Sequence, residues 1–462
     1  MLAQKFPKTQ FLLSEDEVPT HWYNILADLP FQVPTERKSR QDSDALASNN
    51  KGITTQLPLS MYKQSISKDR YIEIPDEVRS KYMHWRPSPI YRAYQLERFL
   101  DTPAKIYYKY EGNCPSGSHK LNTAIAQAYY YYNAGIRHLT TGTGAGQWGT
   151  ALAIACQSFK MQFTAYMVKC SYEQKPYRKV MMNLYGAEVV PSPSGKTKIG
   201  KKSLEEDPNS NGSLSVANAE AIEHALNSDK CRFSVGSGEN HVLLHQTVMG
   251  QEALRQMELA GDYPDIVIGS MGAGSNFAGL AFPFFPNKLN GSRDTRVIAV
   301  EPTACPKLTR GKYAWDYNDY SGVTPMTKMY TLGHKFTAPG IHAGGLRYHG
   351  AAPIVSAMYE KELLEAVAYT QRSVFDAARI FVENEQFLPA PESAHAVKCA
   401  IDEAIKAKES GEEKVILFGL SGHGLLDLSA YEQYLSGEMQ DYVMEDEEIA
   451  GTLESLPIVE EV

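Results

Sequence analysis

The chain has 462 residues, 43% of them hydrophobic, enough for two lobes of ordinary size around substantial cores. Its formal charge of −8, from 46 Lys and Arg against 54 Asp and Glu, removes any general electrostatic drive toward nucleic acid or anionic membrane, so an anionic small molecule needs a local cradle. The cysteines, Cys114, Cys156, Cys170, Cys231, Cys305 and Cys399, lie far apart with no CxxC pair or His/Cys cluster, which argues against structural zinc and for a reducing compartment. No leader-like apolar core opens the chain and no run approaches about 18 apolar residues, so a cytoplasmic protein is expected.

In chain order, residues 1 to about 75 carry prolines, charges and the polar run RKSRQDSDALASNNKG, and read as an extension wrapped on the body. From AKIYYKYEG (Ala104 to Gly112) onward, short β-prone runs alternate with longer helical ones. QFTAYMV and EVVPSPS are the earlier strand candidates, while DIVIGS, TRVIAVEP and KVILFGLS appear later, each closed by Gly, Ser or Pro. That alternation predicts an α/β protein with buried, mostly parallel strands, whose ligands collect beyond the carboxyl ends of the strands.

Four segments carry chemistry. GNCPSGSHKLNTAIAQAYYYYNAG sets His119 and Lys120 near a helix start, where a desolvated amine suits covalent carbonyl chemistry. TTGTGAGQWGTALAIAC packs four glycines before an apolar helix, and its free amides suit a carboxylate or phosphate. In DIVIGSMGAGSNFAGLAF a strand, a glycine loop and a helix start succeed one another, so the amides of Gly272, Ala273, Gly274, Ser275 and Asn276 can surround phosphate oxygens; neither a Walker lysine nor GxGxxG is present. KVILFGLSGHG delivers Ser421 into a glycine turn, where its hydroxyl can meet a buried heteroatom. Taken one at a time, each also reads as an ordinary turn, cap or solvent lysine.

Together with PTHWYNILADLP, RPSPIYRAYQLE, NHVLLHQT, EPTACPKLTRGKY, IHAGGLRYHG and PAPESAHA, these segments resemble the β subunit of tryptophan synthase in its divergent second branch, over nearly the whole chain. The resemblance implies a fold-type II pyridoxal 5′-phosphate (PLP) enzyme with two α/β lobes and the cofactor in the interlobe cleft. It implies an N-terminal extension and start of the N-terminal lobe over 1–85, a segment crossing to the C-terminal lobe over 86–118, the N-terminal lobe over 119–248 and the C-terminal lobe over 249–462. By the same resemblance Lys120 is the Schiff-base lysine and the base for the substrate Cα proton, and His119 contacts the cofactor phosphate. Gly272 to Asn276 form the phosphate loop, although the family commonly has GGGSN where this chain has MGAGSN. Ser421 partners the pyridine nitrogen, Glu385 is the acidic residue near the cofactor, and Thr143, Gly144, Ala145, Gly146 and Gln147 receive the substrate carboxylate. A homodimer, an α subunit that supplies indole and a monovalent cation held by backbone carbonyls are further family expectations.

One departure matters. The family pattern TETGAGQWG reads TGTGAGQWG here, so the glutamate that helps the serine hydroxyl leave and takes the indole proton is replaced by Gly142. Such assistance is worth ~10²–10⁴ in rate. Three explanations stand side by side: an activated serine derivative or another nucleophile, compensation by another carboxylate, or an engineered or impaired variant. Glu239 is the candidate compensator, because SGENHVLLHQ stands where relatives commonly have SVLNHVLLHQ. The expected reaction is β-elimination and β-replacement on L-serine or an activated serine derivative, forming an aminoacrylate and then L-tryptophan or a related amino acid. A serine/threonine dehydratase-like deaminase and a PLP-binding scaffold without turnover are the alternatives. His241, His245, His342, His349, His395 and His423 show no HExxH or paired-carboxylate spacing, so no zinc or two-metal hydrolase is indicated.

Overall fold

The computed structural model describes residues 7–34, 36–37, 57–320, 322 and 324–459. Apart from Arg37, the polar run RKSRQDSDALASNNKG lies outside the described residues. The β-prone runs become strands: β1 (Gln10–Phe11), β2 (His21–Tyr23), β3 (Tyr71–Glu73), β4 (Ile90–Arg92), β5 (Lys105–Tyr110), β6 (His138–Thr143), β7 (Gln162–Val168), β8 (Glu188–Ser192), β9 (Cys231–Phe233), β10 (Ile266–Ser270), β11 (Arg296–Pro302), β12 (Lys312–Tyr317), β13 (Met326–Thr331), β14 (Glu365–Tyr369) and β15 (Val415–Leu420).

Two main sheets result. The larger has the order β1-β4-β5-β15-β10-β11-β14 and the smaller β8-β7-β6-β9; β2–β3 and β12–β13 are separate antiparallel pairs. The smaller sheet is parallel throughout, and in the larger one β5, β15, β10, β11 and β14 are parallel while β1 and β4 run antiparallel at its edge. Both faces of each sheet are covered, because side chains alternate across a strand. In β7, Phe163, Ala165 and Met167 join one core while Tyr166 and Val168 join another on the opposite face. In β15, Leu417 packs on one side and Ile416 and Phe418 on the other. Each such fully buried aliphatic side chain contributes roughly 1.5–3 kcal/mol.

The N-terminal stretch serves both halves. β1 pairs with β4 on the larger sheet, whereas Trp22, Met61, Ile74, Val78 and Tyr82 pack into the core beneath the helix Lys120–Asn133. Residues from β4 to β5 belong to the larger sheet, and the smaller one draws on residues 138–233. The helix Asn240–Ala260 spans the division, with Leu244 and Val248 in the smaller lobe's core and Leu243, Met249 and Ala253 in the larger lobe's.

A buried ionic group fixes the position of Lys120. Arg86, from RPSP, donates to Glu252 at 2.8 Å, to Glu111 at 3.0 and 3.2 Å and to Asn122 Oδ1 at 2.8 Å, while Lys109 Nζ meets Glu252 at 2.7 Å. Burial pushes Glu111 up, but Arg86 and Lys109 outweigh it and hold the carboxyl at about 2. Asn122 lies in the first turn of the Lys120 helix, so the network joins that turn to β5 and to the long helix. Buried charges persist at this depth only when paired and hydrogen-bonded, as these are.

Candidate active site

Lys120 and Ser421 are brought together by backbone. As the chain leaves β15 it runs beside the turn before Lys120, with the His119 amide donating to Ser421 O at 2.9 Å and the His423 amide to Gly117 O at 3.1 Å. Gly117 is required there: its φ is +72°, and a Cβ would run into the His423 ring. Burial lowers the Lys120 ammonium to about 8, with the Glu392 carboxylate pulling the other way. His119 is the hub, since its Nε2 lies 3.0 Å from Ser275 Oγ while its backbone holds Ser421. Burial, reinforced by the Lys120 charge, lowers its ring to about 3, so it is neutral.

The glycine loop after β10 faces the same place. Among the described residues, no acceptor meets the amides of Gly272, Ala273 or Gly274, which stand at the start of the helix Ser275–Ala281. The loop is pinned from behind by the Ala352 amide, 2.7 Å from Ala273 O. Met271 is buried in the larger core, so it adds packing behind the loop without entering the cradle, and Ala273 stands where the family commonly has the middle glycine. Ser421 Oγ lies 2.7 Å from Ser393 Oγ, which also receives the Gly422 amide at 3.0 Å. Asn276 Oδ1 and Ser118 Oγ are buried without a partner. Free amides, the orphaned Ser118 hydroxyl, a hydroxyl pair and a lysine near neutrality fit a phosphorylated pyridine aldehyde, whose phosphate the loop would hold, whose ring nitrogen would meet Ser421 and whose aldehyde would meet Lys120.

The second glycine loop, after β6, supplies another set of free amides. Gly144, Ala145 and Gly146 have no acceptor among the described residues, and Thr143 Oγ1 receives the Gly149 amide at 3.2 Å. Gln147 Nε2 donates to Glu392 at 2.9 Å, and the other oxygen of Glu392 accepts the Gly345 amide at 2.8 Å. Glu392 therefore ties the smaller lobe's loop to the larger lobe and acts electrostatically on Lys120. Glu392 lies within PAPESAHA, where its one signal in the sequence is an acid in the first turn of the helix Pro391–Ser410.

Besides Glu392, three buried cations and a second buried acid stand around this loop. Arg178 abuts Gly146, where a Cβ would lie 3.1 Å from the arginine Cβ, and Arg347 Nη2 would lie 2.7 Å from a Cβ at Gly344. Lys175 and Arg178 pair with Asp427, while Arg347 donates to Ser171 Oγ and Cys170 Sγ. Arg178 keeps Nε and Nη1 buried and unpartnered. None of these residues was singled out in the sequence, because each is isolated there.

Gly142, the second-last residue of β6, has no room for a side chain: a Cβ would come within 2.6 Å of the Asn218 amide nitrogen and against its Oδ1. Glu239 immediately precedes the helix Asn240–Ala260, and the neighbouring Gly238 packs where a Cβ would lie 3.3 Å from Ala273 of the phosphate loop. Burial pushes its carboxyl up to about 7. Glu385 requires correction. It ends the helix Gln371–Glu385, and its carboxylate accepts the Gln95 and Leu96 amides at 3.1 and 2.9 Å, so it caps another helix rather than facing Lys120.

The fold and this site define a PLP-dependent enzyme. The family model "Pyridoxal-phosphate dependent enzyme" matches residues 81–422. The chain belongs to the tryptophan synthase beta chain 2 group within that family. It is 55% identical to tryptophan synthase beta chain 2 of Aeropyrum pernix over 96% of this chain and 98% of that protein. It is 54% identical to that of Aquifex aeolicus over 94% and 100%, and 52% identical to that of Methanosarcina mazei over 94% and 97%. Among solved structures, a fungal L-serine ammonia-lyase from Rhizomucor miehei superposes with a TM-score of 0.56 at 16% identity, covering 76% of this chain and 98% of that one. Threonine deaminase isoform 2 from Solanum lycopersicum gives 0.55 at 17%, covering 88% and 97%. These two likenesses are of fold. No helix among the described residues is long and apolar enough to cross a membrane.

Proposed function

We propose that this chain joins indole to the β-carbon of a serine whose hydroxyl departs as phosphate, giving L-tryptophan. The observation that carries the choice of donor is Gly142: the space for the family carboxylate is taken by Asn218, whose amide can hydrogen-bond but cannot transfer a proton. A bare hydroxyl needs a proton to leave. A phosphate ester leaves as a stable anion and needs counter-charge instead, and Lys175, Arg178 and Arg347 outnumber the carboxylates of Asp427 and Glu392 beside the loop.

PLP, held through Lys120, supplies the electron sink that weakens the Cα–H bond of a bound amino acid and the bond from Cβ to its leaving group. Free amides of Gly144, Ala145 and Gly146 receive the α-carboxylate and fix the orientation of Cα. Lys120, lowered toward neutrality, takes the Cα proton, and Glu392 steadies the ammonium that results. Ser421 offers a neutral hydroxyl, which does not enforce a protonated ring as an aspartate would; this favours elimination and replacement over transamination. Glu239, near neutrality and next to the phosphate-loop contact, is the carboxylate proposed to take the proton released by indole.

The deaminase alternative is not favoured, because its support is the fold at 16 and 17% identity against synthase relatives above 50%. A homodimer and an α subunit partner belong to the same reading as family expectations. Product analysis tests the reaction. Incubation with O-phospho-L-serine should give tryptophan in proportion to added indole; keto acid and ammonia at a rate indifferent to indole would overturn the synthase reading.

A further inference from the structure

The smaller sheet carries a group of side chains that this reaction does not use. His138 opens β6, Cys231 opens β9 as its register partner, and His224 descends from the last turn of the helix Leu214–Leu226. One ligand atom from each lies within 4.8 Å of the others, and the two imidazoles stand edge to face, 5.3 Å apart at 88°. We propose that His138, His224 and Cys231 bind a divalent cation of the zinc class.

Each imidazole is already oriented as a ligand requires. His138 Nε2 lies 3.0 Å from Thr164 Oγ1, which itself donates to Glu188 at 3.3 Å, so the histidine nitrogen carries the proton and the other ring nitrogen keeps its lone pair. His224 Nδ1 lies 3.1 Å from Tyr166 OH, which holds the ring plane and leaves Nε2 outside that hydrogen bond. Partners of this kind fix the tautomer and ring plane of metal-binding histidines. Cys231 offers a thiol, which binds a metal as its thiolate. Binding therefore exchanges the thiol proton for the metal: an S–H bond breaks, a metal–sulfur bond forms and one proton enters solvent, with no redox change. Two imidazoles and a thiolate select zinc-like over magnesium-like ions, and water would complete a tetrahedron. Cysteine spacing gave no sign of this group because its members come from two strands and a helix.

The site stands at the amino ends of β6 and β9, whereas the carboxylate loop follows the carboxyl end of β6. At about 3.3 Å per strand residue the two are roughly 16 Å apart. The ion would act as a clasp between sheet and helix, not in the reaction.

Titrating the full PLP-loaded chain with Co²⁺ tests the proposal, because a tetrahedral thiolate site gives visible ligand-field bands and a sulfur charge-transfer band. One Co²⁺ per chain is expected, with tryptophan formation unchanged. Cys231→Ser should abolish the charge-transfer band, His224→Ala should remove stoichiometric binding, and Tyr166→Phe should weaken binding by about tenfold. Cys156→Ser serves as the control and should change nothing. Retained PLP uptake reports folding of each variant, and if Cys231→Ser fails that check the partly exposed His224 decides. Absence of stoichiometric binding, or a Co²⁺ spectrum that survives both ligand substitutions, would overturn the proposal.

Discussion

Asn218 occupies the space into which a side chain at Gly142 would have to grow, with its own amide nitrogen 2.6 Å from where that Cβ would be. The helix backbone at Ala217 and Asn218 approaches the strand too closely for any side chain at this position. Gly142→Glu alone overpacks this contact and should cost about 1–3 kcal/mol without improving use of L-serine. Adding Asn218→Ala should rescue neither fold nor rate, because the Asn218 nitrogen and the Ala217 carbonyl carbon that crowd the position are backbone atoms. Thermal unfolding and steady-state rates of the two variants check this.

Arg178 has two buried donors without partners beside the carboxylate loop. Arg178→Met should lower kcat/KM for O-phospho-L-serine by about 10- to 100-fold, as expected for a lost charge-assisted bond of ~1.5–3 kcal/mol. The rate with L-serine should change little. Equal losses for both donors would show that Arg178 organises the loop instead of binding phosphate.

The pH dependence of cofactor capture reports Lys120. An amine attacks an aldehyde only when neutral, and burial has lowered this one to about 8. Binding of PLP to the apoprotein should therefore speed up as pH rises through about 8 and then level. Glu392 stabilises the ammonium, so Glu392→Gln should move the midpoint downward. Stopped-flow absorbance across pH distinguishes this from an unchanged or upward shift.

Glu239 titrates in the opposite functional sense. Its carboxyl is raised from 4.5 to about 7, so it is a base only above that pH. Indole-dependent turnover should carry a rising limb near pH 7 that Glu239→Gln removes. A raised carboxyl stabilises the fold below about 4.5 and loses that contribution as pH climbs through 7, so Glu239→Gln should gain stability relative to the parent chain at pH 8 but not at pH 4. A limb that persists in the variant would assign the base elsewhere.

Much of the site is local in sequence and was legible there. Lys120, His119, the two glycine loops and Ser421 each sit at a strand end or helix start, where short patterns of Gly, Ser and Pro report backbone geometry. The alternation of strands and helices likewise predicted two-sided parallel sheets. What escaped depends on distant contacts. Glu392 matters because it reaches Gln147 and Gly345 across the cleft, while Glu385, closer to the phenylalanine of NEQFLP, turns away to cap another helix. Arg178, Arg347 and Asn218 are unremarkable until folding sets them against Gly146, Gly344 and Gly142.

The donor comparison tests the account most directly. With indole present, kcat/KM should be measured for O-phospho-L-serine and L-serine on the unmodified, PLP-loaded chain, following tryptophan. The arrangement of Gly142, Asn218 and Arg178 predicts that O-phospho-L-serine is much the better donor; equal or better turnover with L-serine would contradict it.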